Sequence, residues 1–268
     1  MLNNVMNFEI FSQPFMVHAW ISGTIIAILS SFIGFFIIVR SASFTAHVLP
    51  EIGFAGGAGA ILLSVNPEWG LVLFSLIGAV SIGILANKET NEVATSLVLI
   101  VTLGTGALFL GLSKQYAEGA YSLLFGQILG VSNNQMFTTA FVSVICLALI
   151  IFVFRPLLLD SISPELAKTR GVPIKLIENL FLVAVALATA IMVPIIGSLL
   201  CFGLLITPSA ASIYFTNDPK KFILLSLIFS LLNIWASLTL GYLTGWPIGF
   251  FVSFIGAAIY LTARIQKA

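Results

Sequence analysis

Residues 15–39 read FMVHAWISGTIIAILSSFIGFFIIV and contain no Asp, Glu, Lys or Arg. This run of 25 residues ends at Arg40, the first basic residue of the chain. An α-helix needs about 20 predominantly apolar residues to cross the hydrocarbon core of a bilayer. The run is long enough to do so. Because the residues before it lack the basic region of a signal peptide, it predicts a retained membrane-spanning helix.

The composition extends this prediction to the whole chain. Hydrophobic residues make up 59% of the 268 residues and charged residues 8%, whereas a soluble domain carries about 25% charged residues. A soluble fold could not cover its surface with so few charges, but lipid solvates apolar side chains. We therefore predict an all-α, polytopic transmembrane bundle that forms one domain over residues 1–268. The net charge of +1 provides no basic field for nucleic acid.

Charged residues divide the chain into nine candidate spans, with eight as the alternative count. Segment 199–215 is the least certain, because it contains Pro208 and lies near the lower limit of about 17 residues. The predicted spans are 15–39, 46–65, 69–86, 93–112, 136–154, 178–197, 199–215, 222–244 and 246–263.

The basic residues predict the orientation. If the N-terminus lies outside and all nine segments cross, ten of the eleven Lys and Arg residues lie inside, and only Lys114, in the outside loop 113–135, does not. The positive-inside rule therefore favours an N-out, C-in protein of the cytoplasmic membrane. The inside cations are Arg40, Lys88, Arg155, Lys168, Arg170, Lys175, Lys220, Lys221, Arg264 and Lys267.

One polar patch lies inside the predicted spans. Residues 41–54 read SASFTAHVLPEIGF, and Glu51 is the only acid or base well inside a span, with His47 four residues before it. A charge at the bilayer centre costs roughly 2.5–3.5 kcal/mol on insertion scales, so such residues are the first functional candidates.

Two interpretations of this patch are open. If a helix already runs through residue 47, His47 and Glu51 share one face at i, i+4 and form half of a Zn²⁺ or Mn²⁺ site. Two copies in a symmetric dimer would supply four ligands. Alternatively, Pro50 lies in the first turn of a helix, Glu51 interacts with the positive end of the helix dipole, and His47 lies in a loop.

The segment 155–177 is the longest polar stretch on the predicted inside. Its residues 155–175 read RPLLLDSISPELAKTRGVPIK, and the part from Pro164 to Arg170 predicts a short helix that stops at Gly171. Such a helix on the membrane surface is either a docking site for a soluble partner or an ordinary solvated loop.

Other features limit the function. The chain contains no G-x-x-x-x-G-K-[ST] phosphate loop, so we predict that it is not an enzyme and that any ATP hydrolysis belongs to a separate chain. Cys146 and Cys201 lie in apolar runs and are interpreted as packing residues. His18, in the first span, is interpreted as a hydrogen-bonded interfacial imidazole rather than as a metal ligand.

Several stretches, taken together, resemble the membrane permeases of ABC-type zinc and manganese uptake systems, the ABC-3 family. The resemblance covers nearly the whole chain, and its last two stretches are the most specific. The four stretches are residues 15–40, residues 43–57 (SFTAHVLPEIGFAGG), residues 123–132 (LLFGQILGVS) and residues 158–212, which end in GSLLCFGLLITPSAAS.

The resemblance implies a homodimeric permease with a cytosolic ABC ATPase dimer and an extracytoplasmic metal-binding protein as partners. The implied substrate is Zn²⁺ or Mn²⁺, with Fe²⁺ as a further candidate, and no cofactor is bound permanently. The resemblance also assigns metal ligation to His47 and Glu51. Family members carry Asp and His four residues apart at these positions, so this chain keeps the ligand types but exchanges their order.

The resemblance further implies that residues 163–173 form the coupling helix that docks on the ATPase. The implied coupling residues are Ser163, Pro164, Glu165, Leu166, Ala167, Lys168, Arg170 and Gly171. Two rival functions remain. One is a secondary transporter or channel that uses Glu51 for ion or proton coupling without an ATPase, and the other is a membrane scaffold without transport activity.

Overall fold

The computed structural model of the protein describes residues 13–86, 91–113 and 116–267, and for residues 91 and 116–120 it describes the backbone alone. These ranges form eleven α-helices and one 3-10 turn, without any β-strand. The helices are α1 (Pro14–Val39), α2 (Ser43–Leu62), α3 (Pro67–Leu85), α4 (Asn91–Leu112), α5 (Tyr116–Phe125), α6 (Asn133–Ile162), α7 (Pro164–Thr169), α8 (Ile174–Ile196), α9 (Ser198–Ser212), α10 (Pro219–Thr244) and α11 (Ile248–Ile265).

Each of the nine predicted spans coincides with a helix, namely α1 to α4, α6 and α8 to α11. Seven of these helices are long and apolar enough to cross a membrane. The other two are α2, which is rich in glycine and alanine, and α9, which has only 15 residues. The prediction of an all-helical integral membrane protein is confirmed.

The structure adds one helix to the predicted spans. Helix α5 lies within segment 113–135, which the sequence analysis treated as a loop, and it packs against α2, α8 and α9. It ends at Gly126, whose φ of +69° is a left-handed conformation that favours glycine. Gln127 then donates its backbone N–H to the carbonyl of Pro194 at 3.1 Å. This segment is therefore part of the bundle.

Helix ends follow the local sequence. The side chains of Asn66, Ser132 and Asp218 each accept a hydrogen bond from a backbone N–H in the first turn of α3, α6 and α10. Pro67 and Pro219 occupy the first position of α3 and α10, where a missing N–H costs nothing.

The core lies around α1 and α8. Over an apolar stretch of 18 residues, 67% of the residues are buried in α1 and 72% in α8. The same fraction is 33% or less in the other five spanning helices. Those five present large apolar side chains outward, such as Ile100, Phe141 and Phe152. An apolar exterior on this scale requires a lipid solvent or a protein partner.

Helix α2 passes through the middle of the bundle and packs against α3, α4, α8 and α9. Its glycines allow this proximity: a Cβ on Gly56 would overlap the carbonyl oxygen of Gly70 in α3, and a Cβ on Gly106 in α4 would meet the backbone of Ala55. Small residues permit such close approach where lipid gives no hydrophobic drive for helix association. The packing fixes α2, which carries the polar patch.

Candidate metal site and coupling helix

His47 and Glu51 both lie within α2, one helical turn apart. The helix begins at Ser43, so Pro50 is an interior residue and Glu51 lies outside the first turn. The interpretation of Glu51 as a partner of the helix N-terminus is therefore wrong. The condition for the other interpretation is met, because the helix already runs through residue 47 and both side chains share one face.

Helix α9 forms the wall beside this pair. The imidazole of His47 contacts the ring of Phe202 edge to face, with 4.5 Å between ring centroids. Glu51 is close enough to both His47 and Cys201 to interact with them electrostatically. Both members of the pair are partly buried. The two candidate ligands are thus held between packed helices, without facing lipid freely.

The imidazole of His47 has an unused hydrogen-bonding group. Its Nδ1 atom is buried and has no hydrogen-bond partner among the described residues. An unpaired polar atom in an apolar interior is costly, so it needs an explanation such as an ion or a water molecule. The other histidine, His18, contacts the carbonyl oxygen of Val131 through Nδ1 at 3.2 Å. The hydrogen bond predicted for His18 is therefore present, and its interfacial position stays a prediction.

The pair does not form a complete metal site within one chain. Within the described ranges, His47 and Glu51 form no ion pair, and no group of three or more His, Cys, Asp or Glu side chains is arranged to hold a metal ion. A tetrahedral or octahedral ion requires at least four ligands. Any metal at this position therefore needs further ligands from another molecule or from water.

A large pocket lies where α5 and α8 end and where α9 and α11 begin. It has a volume of about 880 Å³ and is lined by apolar and aromatic residues that include Tyr121, Phe125, Trp246 and Phe250. Its described lining contains no Asp, Glu, His or Cys side chain. This pocket therefore offers no ligands to a divalent metal, and the polar patch on α2 remains the candidate.

Helix α7 forms as the sequence predicts. Ser163 caps it by accepting a hydrogen bond from the backbone N–H of Leu166, and Pro164 occupies its first position. The chain leaves the helix through Gly171, whose φ is +71°. Ala167 is buried and anchors the helix to the bundle. The exposed residues are Pro164, Glu165, Leu166, Lys168, Thr169, Arg170 and Gly171.

Segment 155–177 is more ordered than a polar loop. It consists of the last two turns of α6, all of α7 and the first turn of α8. Pro156 lies inside α6, so the helix continues past the position where the predicted span ends. Helix α7 is therefore held at both ends by long spanning helices.

Sequence reasoning missed an ion-pair network on the same side of the bundle. Arg40 at the end of α1 donates from Nη1 to Oδ2 of Asp160 at 2.7 Å and to Oγ of Ser161 at 3.3 Å. Its Nη2 lies 4.0 Å from Oε1 of Glu178, and its guanidinium lies 5.8 Å from the ring centroid of Phe181. Residues 40 and 160 are too far apart in sequence for any local pattern to pair them.

With this geometry described, comparison with known proteins places the chain. It matches the ABC 3 transport family over residues 12–267, and it belongs to that family. The resemblance inferred from four sequence stretches is thereby confirmed.

Individual relatives agree with this assignment. The manganese import system permease protein ScaB of Streptococcus parasanguinis is 30% identical over 253 residues, covering 94% of this chain and 88% of ScaB. The high-affinity zinc uptake system membrane protein ZnuB of Haemophilus influenzae is 27% identical, covering 83% of this chain and 86% of ZnuB. Among solved structures, PsaBC from Streptococcus pneumoniae in complex with a Fab matches with a TM-score of 0.85 and 26% identity, over 98% of this chain and 95% of that chain.

Proposed function

We propose that this protein is the permease subunit of an ABC importer that carries a divalent transition metal, zinc or manganese, across the cytoplasmic membrane. The family match and relatives named for manganese and zinc import support this function. The predicted N-out, C-in orientation places the Arg40 end of the bundle and α7 in the cytosol.

The observation that carries the metal route is the buried Nδ1 of His47, which has no hydrogen-bond partner within the described ranges and lies one turn from the carboxylate of Glu51. Imidazole and carboxylate are the ligand types that Zn²⁺ and Mn²⁺ accept. In a symmetric dimer, a second copy would bring its own pair and complete a four-ligand site. The ion would cross at this dimer interface as transported substrate.

The energy source is a separate chain. In our proposal a cytosolic ATPase dimer docks on the exposed face of α7, and an extracytoplasmic binding protein delivers the ion at the opposite end. ATP-driven closure of the ATPases moves α7 and changes which side of the membrane the His47–Glu51 pair faces.

The test is metal uptake by vesicles that contain the complete transporter. We expect the double variant His47→Ala/Glu51→Ala to lose uptake of both Zn²⁺ and Mn²⁺. The matched variant His47→Asp/Glu51→His restores the ligand order typical of the family, and we expect it to retain uptake. Unchanged uptake in the double alanine variant would rule out the route.

Acidification gives a second test of ligation. Metal binding requires a neutral imidazole and an ionised carboxylate, so protons compete with the metal. We expect the apparent affinity for either ion to fall as the pH is lowered, and to fall less steeply in the His47→Asp/Glu51→Asp variant, which lacks the imidazole.

The rival without an ATPase is tested by reconstituting the permease alone. Our proposal expects no metal uptake until the ATPase, ATP and the binding protein are supplied. Uptake driven only by an ion or proton gradient would favour a secondary transporter that uses Glu51. Stimulation of ATP hydrolysis, measured ion by ion in the assembled complex, identifies the transported metal.

A further inference from the structure

Arg40 lies in the short corner between α1 and α2. It directly follows the last residue of α1, and α2 begins three residues later at Ser43. The corner is tight: Ser41 has a φ of +53°, and the backbone N–H groups of Ser41 and Ala42 bond back to the carbonyls of Ile38 and Ile37 at 3.1 and 2.8 Å. A movement of Arg40 is therefore passed to the first turn of α2.

The partners of Arg40 flank α7 on both sides. Asp160 and Ser161 lie in the last turn of α6, directly before α7, and Glu178 lies near the start of α8, directly after it. Arg40 thus connects both supports of α7 to the α1–α2 corner.

The same corner leads directly to the metal pair. His47 lies one turn into α2 from Ser43, and Glu51 one turn further. A small cavity of about 100 Å³ lies beside the network and is lined by Arg40, Thr45 of α2, Glu178 and Phe181. The cavity leaves space between Arg40, the first turn of α2 and the start of α8.

Burial makes the contact specific. The side chain of Asp160 is 6% exposed and that of Arg40 is 14% exposed. A buried ion pair of this kind adds little net stability compared with well-packed apolar residues, but removing one partner strands a charge. The planar guanidinium holds five N–H donors in a fixed fork, whereas an ammonium group has three donors on a flexible stem. These properties suit a residue that fixes the relative positions of three helices.

We propose that Arg40 is a positioning residue for energy coupling: through Asp160 and Glu178 it transmits movement of α7 to α2 and so to the His47–Glu51 pair. This inference rests on the proposed function. It adds a specific mechanical link between the ATPase docking helix and the metal route, through residues other than the metal ligands and the exposed face of α7.

The experiment measures metal ions taken up per ATP hydrolysed, with Mn²⁺ and Zn²⁺ in turn, by the complete transporter in vesicles. We expect Arg40→Met and Asp160→Asn to lower this ratio by about tenfold, within the usual range of coupling between sites, while ATP hydrolysis continues. Arg40→Lys should recover part of the ratio. The control Arg264→Met removes an exposed arginine near the end of α11 and should leave the ratio unchanged.

A purely structural role would reduce assembly, uptake and ATP hydrolysis together and leave the ratio unchanged, which would overturn the inference. If a single variant fails to assemble, the double variant Arg40→Met/Asp160→Leu removes both charges and keeps the fold. A wild-type ratio in that double variant would show that the ion pair carries no coupling. If the His47 and Glu51 variants do not affect uptake, the proposed metal route is wrong. The ratio of ions to ATP is a separate measurement, so the two failures are distinguishable.

Discussion

Helix α2 and segment 155–177 differ in composition and in burial. Helix α2 is central, rich in small residues, and carries two partly buried ionisable side chains among packed helices. Segment 155–177 carries many charges, and most of α7 within it is exposed. In α2 the informative observation is that Nδ1 of His47 has no hydrogen-bond partner among the described residues. In segment 155–177 the informative observation is that α7 is connected at both ends to long spanning helices, α6 and α8.

In the proposed function, α2 holds the ligand and α7 contacts the partner. A polar pair among packed apolar helices is costly unless an ion or a hydrogen-bond network satisfies it, and Nδ1 of His47 has no hydrogen-bond partner among the described residues. A short capped helix with an exposed face requires no ligand and can present its side chains to a soluble protein. Four changes, two in each region, test this distinction, and their expected effects decrease in order.

The largest effect is expected from neutralising Glu51. Glu51→Gln keeps the shape of the side chain but removes its charge. Because the loss of even an indirect support of a metal ligand costs 10–100-fold, loss of the ligand itself should reduce uptake by at least ~100-fold. Metal uptake by the complete transporter in vesicles measures this. The control is Glu68→Gln, in the first turn of α3, and an equal loss there would refute a special role for Glu51.

The second effect is on stability. Gly56→Ala places a methyl group against the Gly70 carbonyl, where the two backbones leave no room. Overpacking of this kind costs typically 1–3 kcal/mol, so we expect a lower midpoint of thermal unfolding in detergent. Gly104→Ala lies on α4 with nothing within 4 Å of the added carbon. A similar loss at Gly104 would mean that close packing of α2 is not the reason.

The third effect concerns the exposed face of α7. Leu166 is 43% exposed, and Leu166→Asp places a charge on a surface that we propose is covered by the ATPase. We expect affinity for the ATPase to fall about tenfold, since a desolvated unpaired charge costs more than 1.4 kcal/mol. The control is Ile213→Asp, at a residue with 46% exposure after α9. Pull-down titration with the purified ATPase measures both variants.

The smallest effect is expected at the cap of α7. Ser163→Ala removes the side-chain oxygen that accepts from Leu166 N–H, which costs about 1 kcal/mol of helix stability. Hydrogen exchange of the α7 amides should become faster while the spanning helices remain protected. Ser132→Ala, which removes the corresponding cap of α6, should leave exchange in α7 unchanged.

The sequence predicts the membrane class and the positions of nine helices because apolar runs and bounding charges are local signals. It also predicts α7, because Pro164 and Gly171 specify its start and end directly. It missed α5, whose ten residues are too short for a spanning pattern and whose position depends on contacts with α8 and α9. The structure, not the sequence, excludes Glu51 as a partner of the helix N-terminus, because α2 starts at Ser43, directly after the tight corner at Arg40.

Long-range pairing is beyond local reasoning. Arg40 ends an apolar run and Asp160 lies near Pro156, so each is readily explained by its own neighbours. Only the fold brings them to 2.7 Å. Likewise, only the fold brings the ring of Phe202 in α9 against the imidazole of His47. The sequence identifies which residues are costly in a membrane, and the fold identifies what they contact.

The central claim is that His47 and Glu51 of two copies bind one metal ion between them. Elemental analysis of the purified, detergent-solubilised dimer after equilibration with Zn²⁺ or Mn²⁺ measures this directly. The account predicts one retained ion for every two chains, and none in a His47→Ala/Glu51→Ala dimer that still assembles. Retention of the same ion by that double variant would contradict the account.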